Sequence, residues 1–196
     1  MAHLFKFGPE FANLNVKLIL FVMFFNYLSR GIYNQNILSA YIFMLPGGSN
    51  TKIGLLTGLQ GSVQVLLGPC CGYLADKYRR DALIRAAAVM GIIAPTIMLI
   101  AVWAENYLLL CIAGLSWGLF QAMSNSPVEA LFADSVPCGS RSKMFSVKMS
   151  MLNAASAAGP ALSAAFFLLL GDQWAPQECR WALTAGLGLS LVPPAL

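Results

Sequence analysis

Long apolar stretches alternate with short polar links along the whole chain. Charged residues or turn-forming residues separate six such stretches, at about 16–41, 53–75, 83–103, 107–132, 145–170 and 181–196. A helix needs about 20 mostly apolar residues to cross a hydrocarbon core roughly 30 Å thick. Backbone groups in lipid must also be satisfied within their own segment, which favours helices. The pattern predicts an all-α, polytopic membrane protein, one domain over 1–196 with a bundle of six transmembrane helices.

Composition supports this class and excludes others. Hydrophobic residues make up 58% of the chain and charged residues 10%, whereas a soluble domain carries roughly 25% charged residues. The outer surface is therefore expected to face the lipid bilayer. His3 is the only histidine, no nucleophile stands beside a base, and the five cysteines have no metal-binding spacing. We expect no catalytic residues, no enzyme activity, no cofactor, no metal and no nucleic-acid partner.

Successive links between spans lie on alternate sides of the membrane, and the positive residues are distributed unevenly between these two sides. One side holds Lys52 and Arg180, and the other holds Lys6, Lys17, Lys77, Arg79, Arg80, Arg85, Arg141, Lys143 and Lys148. Positive residues concentrate in the cytoplasmic links of membrane proteins. Both termini are therefore expected in the cytoplasm, in agreement with an even number of spans. The pattern names no particular membrane.

The link between the second and third spans has a recognisable sequence. From Gly72 to Asp81 it reads GYLADKYRRD, which resembles the signature loop of the major facilitator superfamily, G-x-L-a-D-[R/K]-x-G-R-[R/K]. Arg79 replaces the usual glycine and Asp81 the usual basic residue. Three further residues after the fourth span match a D-x-x-P-x-x-x-R pattern of the family, namely Asp134, Pro137 and Arg141. Gly159-Pro160 in the fifth span resembles its Gly-Pro kink.

The resemblance covers the amino-terminal six-helix half of a fold that usually has twelve helices. It implies a secondary transporter of a small solute, working by alternating access against a second half in the same chain, in a homodimer or in a larger complex. The short last span, which meets Pro193-Pro194, fits a piece of a longer transporter. A non-transporting accessory or structural subunit remains the alternative.

The family's loop is implicated in closing the cytoplasmic side. The residues that match this gating motif are Gly72, Asp76, Lys77, Arg80, Asp134 and Arg141. Asp76 and its basic neighbours can form charge-assisted pairs, and Arg80 is placed to reach Asp134. Exposed pairs contribute roughly 0–1 kcal/mol, which is enough to bias two states that differ by a few kcal/mol. The alternative is that these charges only fix orientation.

Arg30 lies near the middle of the first span. A charge at that depth costs about 2.5–3.5 kcal/mol on insertion scales, so it should face a cavity or a partner. Asn26, Arg30 and Tyr33 share one helical face, and Asn34 lies beside them. The arginine fork suits carboxylate or phosphate, so these residues predict a solute path that favours an anion. The alternative is a structural ion pair, with Glu129 as the candidate partner, or a role in capping backbone carbonyl groups.

Amide side chains in three other spans are weaker candidates for the same path. They are Gln60 and Gln64 on the second span, Gln121 and Asn125 on the fourth, with Trp117 one turn earlier, and Asn153 on the fifth. Interhelical hydrogen bonding, worth about 0.6 kcal/mol on average in membranes, is the alternative for each.

Small residues are dense in the second, third and fifth spans, and they let helices approach closely in lipid. We expect packing roles for Gly54, Gly58 and Gly61, for Ala154, Ala155 and Ala158, and for the five cysteines.

Overall fold

The computed structural model describes residues 13–33, 37–77, 80–170 and 175–192, and this part of the chain is α-helical without strands. The all-α prediction is thus confirmed. The helices are α1 (Leu14–Tyr33), α2 (Ile37–Met44), α3 (Asn50–Lys77), α4 (Arg80–Trp103), α5 (Tyr107–Ser135), α6 (Arg141–Leu170) and α7 (Pro176–Ser190), with a 3-10 turn (Cys138–Ser140) before α6.

Five segments of the described residues are long and apolar enough to cross a membrane: Leu14–Met44, Asn50–Ala75, Asp81–Trp103, Tyr107–Ser135 and Arg141–Leu169. The first of these contains both α1 and α2, and residues 34–36 between them lie outside the described part. Large apolar side chains such as Val65, Leu168 and Leu169 point outward on these segments. In lipid these side chains need no cover, because the surroundings are themselves apolar.

The last helix begins earlier than the apolar pattern indicates. We expected the sixth span at 181–196, but α7 starts at Pro176 and ends at Ser190. Pro176 occupies the first turn, where a missing backbone N–H costs nothing, and a Glu178 carboxylate oxygen accepts from the Ala175 backbone N–H at 3.4 Å. Pro176 and Glu178 favour a helix start that hydrophobicity alone does not reveal.

The helices form two tightly packed groups. One comprises α3, α4 and α5, in which α5 packs against both of the others; the second comprises α1 and α6. The short helix α7 lies between the groups and contacts α1 and α4. This grouping places the inner faces of α1 and α5 opposite each other, which matters for the candidate site.

Buried apolar residues form two separate clusters. The main core takes members from α1, α2, α3, α4, α5, α6 and α7, among them Met98, Leu110 and Leu183. A second group, here called the basic-end cluster, joins the start of α1, the end of α5 and the start of α6. Its buried members are Val16, Ile19, Leu20, Phe132, Val136 and Met144. The basic end is the end of the bundle where Lys77, Arg141 and Lys143 are exposed.

Glycines set the closest helix contacts, but not the glycines expected. A Cβ on Gly159 would lie 2.5 Å from the Gly31 Cα, so α1 and α6 touch backbone to backbone. A Cβ on Gly118 would lie 2.5 Å from the Gln60 carbonyl oxygen, where α5 crosses α3. At Gly54, Gly58 and Gly61 an added Cβ would meet nothing within 4 Å. The packing role predicted for these three is therefore wrong within the described bundle, since they lie on the outer face of α3.

The predicted packing roles of the alanines and cysteines hold only for some of them. Ala155 is fully buried, Ala154 is exposed and Ala158 is half-buried. Cys71, Cys111 and Cys179 are buried and Cys70 is exposed, all four without a disulfide, whereas the side chain of Cys138 lies outside the described part.

Candidate functional site

The inner face of α1 carries the three residues that the sequence placed on one face. Asn26 and Arg30 are half-buried, and Tyr33 is 1% exposed. The Arg30 guanidinium carbon lies 5.9 Å from the centre of the Tyr27 ring, and Arg30 lies one turn before Tyr33 on α1. No ion pair to Arg30 is found within the described ranges. Asn34 lies outside those ranges.

Helix α5 places Trp117 against this face, and Gln121 follows one turn later on the same helix. Trp117 and Gln121 are one turn apart and buried, as expected for an i, i+4 pair on one helical face. The Trp117 ring packs edge-on against Tyr33, with ring centres 5.3 Å apart. We call Arg30, Tyr33, Trp117 and Gln121 the inner polar cluster.

Three polar atoms of the inner polar cluster have no hydrogen-bond partner. They are the Tyr33 hydroxyl, the Trp117 indole nitrogen and the Gln121 amide nitrogen, each fully buried and without a partner in the described part of the chain. A buried polar group left unpaired costs about 1–3 kcal/mol, so native structures rarely retain one without a reason. All three can donate, and Arg30 adds further donors. The cluster is therefore suited to a ligand rich in acceptor oxygens.

The remaining path candidates are more dispersed. Gln60 and Gln64 are half-buried on α3, and Gln60 sits at the close crossing with α5. Asn125 and Asn153 are exposed on the outside of the described bundle. The structure packs Trp117 against Tyr33, although the sequence pattern predicted no place in the path for Trp117. The sequence does contain a signal for Trp117, because it lies one helical turn from Gln121 and therefore on the same face of α5.

The predicted gating motif is partly described. A Cβ on Gly72 would lie 3.6 Å from the Ser126 hydroxyl, so α3 passes close to α5 there. The Lys77 ammonium lies 5.4 Å from the centre of the Tyr73 ring. Asp134 and Arg141 are exposed. The side chains of Asp76 and Arg80 lie outside the described part, so the pair between Arg80 and Asp134 stays a prediction.

An ion pair within the helices overturns two interpretations. Glu129, the candidate partner of Arg30, instead accepts a hydrogen bond from the Lys148 ammonium. Lys148, which was counted among the flanking positive residues, lies inside α6 and is 1% exposed. Its ammonium lies 4.8 Å and 4.4 Å from the ring centres of Phe132 and Phe145. A charged side chain within an apolar span is stabilised by a counter-charge and by the faces of aromatic rings.

A second ion pair lies at the opposite end of the bundle, where α4 ends and α7 begins. Arg180 donates to Glu105, and the Trp103 indole N–H donates to the Thr184 hydroxyl at 3.2 Å. The rings of Trp103 and Trp181 pack edge-on, 5.4 Å apart. Tryptophans are enriched at membrane interfaces, and these contacts join two helix ends.

Other features offer little chemistry. A cavity of about 200 Å³ between α1 and α6 is lined by Gly31, Ile32, Pro160 and Phe167 among others, and by none of the path candidates. Within the described residues, histidine, cysteine and acidic side chains form no group that could hold a metal ion.

Comparison with known proteins gives a family match. A family model described as Major Facilitator Superfamily matches residues 19–193. A search of curated proteins finds no match to the chain.

Proposed function

Because the chain belongs to the major facilitator superfamily of membrane transporters, we propose that it moves a small solute by alternating access, with the solute bound at the inner polar cluster. In alternating access, a central site near the middle of the membrane is exposed to one side and then to the other. The observation that carries this assignment is the set of three buried, unpartnered polar atoms on Tyr33, Trp117 and Gln121.

The donors of the cluster favour an anionic solute. The indole of Trp117 and the guanidinium of Arg30 donate and cannot accept. A carboxylate or phosphate ester would satisfy these donors, and Arg30 would supply the compensating charge with a planar fork. The ring faces of Tyr33 and Trp117 would pack against an apolar portion of the same solute. We therefore propose a small organic anion as substrate.

Solute-dependent stabilisation of the full chain in lipid nanodiscs tests this assignment. Monocarboxylates, dicarboxylates and phosphate monoesters serve as probes, and the melting temperature is measured with each. A ligand at about 100 times its Kd stabilises by about 2.7 kcal/mol. We expect at least one class to raise the melting temperature and Arg30→Ala or Gln121→Leu to remove the rise. Uptake into proteoliposomes should fail with Arg30→Ala while the variant still inserts.

Arg180→Ala is the matched control, since it removes an arginine at the opposite end and leaves the inner polar cluster intact. It should keep the solute-dependent rise. Normal uptake by a well-inserted Arg30→Ala variant would remove Arg30 from the path. A rise that Arg180→Ala also abolishes would contradict binding at the cluster.

A partner unit forms part of the proposal. The window of α3 that would cross the membrane is the least buried of the five, and its outer face carries Gly54, Gly58 and Gly61 with open space beside each. Small residues allow close helix contact in lipid. We propose that a second six-helix half, in the same chain or in a second copy, covers this face.

The same exposed face supports the second candidate function. A six-helix unit that binds a larger membrane complex through α3 would be an accessory or structural subunit. This alternative requires no solute, so it predicts that none of the anionic probes changes the melting temperature.

The basic end is proposed to lie in the cytoplasm. Lys17, Lys77, Arg85, Arg141 and Lys143 are all exposed at this end, as the positive-inside rule expects. A cysteine placed at exposed Ser142 should react with a membrane-impermeant maleimide only from the cytoplasmic side. Reaction from the outside would reverse the orientation.

A further inference from the structure

Two exposed tryptophans and an ion pair come together at the end of the bundle opposite the basic end. Trp103 is the last residue of α4 and of its apolar span, and Glu105 follows in the turn before α5. Arg180 and Trp181 lie near the start of α7. We call these four residues the interfacial cluster, because the end of an apolar span lies near the level of the lipid headgroups.

The two tryptophan rings are accessible from outside the protein. Trp103 is 49% exposed and Trp181 is 53% exposed, and their ring planes are inclined at 85°. The hydrogen bond from the Trp103 indole N–H to Thr184 fixes the orientation of that ring. Tryptophan faces attract cations, and groups of aromatic rings bind quaternary ammonium ligands such as choline. The pair of rings is therefore suited to a choline ammonium group.

The ion pair places one charge of each sign beside these rings. The Glu105 side chain is 44% exposed and that of Arg180 is 19% exposed, so the carboxylate is the more accessible of the two. The Arg180 Nε atom is buried and has no hydrogen-bond partner in the described part of the chain. An unpaired buried donor costs free energy, and guanidinium groups bind phosphate oxygens well. Arg180 therefore retains a donor for a phosphate group.

The backbone of Glu105 has an unusual conformation. Its φ of 51° lies in the left-handed region, which a side chain of this kind adopts only uncommonly. A glycine would make the same turn between α4 and α5 with less strain. The contacts of the Glu105 carboxylate must therefore offset this cost, and the ion pair with Arg180 is one of them.

From these observations we propose that the interfacial cluster binds the headgroup of a phosphatidylcholine molecule in the leaflet at this end of the bundle. The choline ammonium lies against the rings of Trp103 and Trp181, beside the Glu105 carboxylate, and the phosphate accepts from Arg180. The headgroup and the ion pair each carry one positive and one negative charge, so opposite charges lie next to each other. The site contains no residue of the inner polar cluster and needs no transported solute.

Native mass spectrometry of the full chain in delipidated detergent micelles tests the site, because it resolves each bound lipid molecule. Phosphatidylcholine is the probe, and the Kd of the first bound molecule is measured. We expect Trp181→Leu to weaken this binding by about two- to fivefold, the effect of one exposed contact between a cation and a ring. Trp181→Phe keeps an aromatic ring and should weaken it less. Unchanged binding by Trp181→Leu would show that the ring only anchors the protein at the interface, and would overturn the proposal.

Glu105→Gln provides a second test that keeps the shape of the side chain. It removes the negative charge and leaves that of Arg180, so the cluster becomes positive. Phosphatidylcholine should then bind several-fold more weakly, and anionic phosphatidylglycerol with the same acyl chains should bind more tightly than it does to the unmodified chain. A variant that merely fails to fold would weaken the binding of both lipids. Unchanged binding of phosphatidylcholine would overturn the proposal, whatever the result with Trp181→Leu.

Glu129→Gln is the matched control, because it breaks the ion pair with Lys148 and leaves the interfacial cluster intact. It should bind phosphatidylcholine as the unmodified chain does. Weaker binding by this variant would place the lipid elsewhere on the bundle and overturn the assignment to the interfacial cluster. No solute is present in these measurements, so their failure is distinguishable from failure of the proposed solute site.

Discussion

Tyr33 and Tyr41 are each 1% exposed and lie within the same predicted span, yet their hydroxyl groups have different surroundings. The Tyr41 hydroxyl donates to the Val102 carbonyl oxygen at 2.6 Å, whereas the Tyr33 hydroxyl has no partner in the described part of the chain. A satisfied buried hydroxyl stabilises the fold, and an unsatisfied one costs free energy. The comparison separates a structural tyrosine from one that is available to a ligand.

Replacing each tyrosine with phenylalanine should give opposite results. Tyr33→Phe should leave the free energy of unfolding unchanged or raise it, because no hydrogen bond is lost, and it should weaken the solute-dependent rise in melting temperature. Tyr41→Phe should lower stability by about 0.5–1.5 kcal/mol and leave that rise intact. Thermal unfolding followed by intrinsic fluorescence measures both. A large loss of stability with Tyr33→Phe would indicate a structural role.

At the scale of helices, some glycines lie at close contacts inside the bundle, whereas others lie on a surface that no helix covers. Gly31 and Gly159 bring the backbones of α1 and α6 together, and a Cβ on Gly31 would lie 2.8 Å from the Ser156 carbonyl oxygen. The Ser163 hydroxyl adds a hydrogen bond to the Ile32 carbonyl oxygen at 3.3 Å across the same contact. Backbone atoms cannot move aside as a flexible side chain can, so this crossing tolerates no added methyl group.

Alanine substitutions should reveal this difference. Gly159→Ala should destabilise the bundle by about 1–3 kcal/mol, the usual cost of overpacking. Gly188→Ala, on α7, meets nothing within 4 Å, and alanine is roughly 0.5–1 kcal/mol better than glycine within a helix. It should therefore leave stability unchanged or raise it. Thermal unfolding of the two variants in the same detergent is the measurement, and equal destabilisation would contradict the assigned packing.

For the whole molecule, the uneven burial of the helices matters most. The span window of α5 is 44% buried and that of α3 only 6%, although α3 carries half-buried Gln60 and Gln64 beside α5. A helix at the edge of a bundle can face lipid, but a row of glycines with open space provides little side-chain surface for packing. A partner helix that approaches closely would use that space.

Native mass spectrometry from mild detergent should therefore find more than one six-helix unit. We expect either a native chain of about twice 21.1 kDa or a particle with two copies, since both would cover α3. In the second case Gly58→Leu should shift the population toward single copies, and Gly139→Leu, at another open glycine, should not. A single-copy particle of 21.1 kDa in the native membrane would contradict the proposed partner.

Much of the fold was predictable because lipid imposes its requirements on every residue in a span. Each span needs enough apolar length, locally satisfied backbone groups and few charges. Each of these requirements can be checked on a run of consecutive residues. Hence the sequence alone predicted a helical membrane protein and its superfamily. The start of α7 was missed because Pro176 and Glu178 define it by capping and not by hydrophobicity.

The pairing of polar residues was decided by tertiary structure alone. The sequence shows Arg30 as a charge within a span. Whether Glu129 pairs with Arg30 or with Lys148, however, depends on which helices are neighbours. In the same way, the sequence does not distinguish Tyr33 from Tyr41. Packing places the Val102 carbonyl beside the Tyr41 hydroxyl and leaves the Tyr33 hydroxyl without a partner in the described part of the chain. Insertion of long apolar segments into the membrane follows from composition. Hydrogen bonds and ion pairs instead act over a few ångströms, between segments that are far apart in the sequence. The sequence thus determined where the chain resides, and the packing of α1, α5 and α6 decided which polar groups remain available for function.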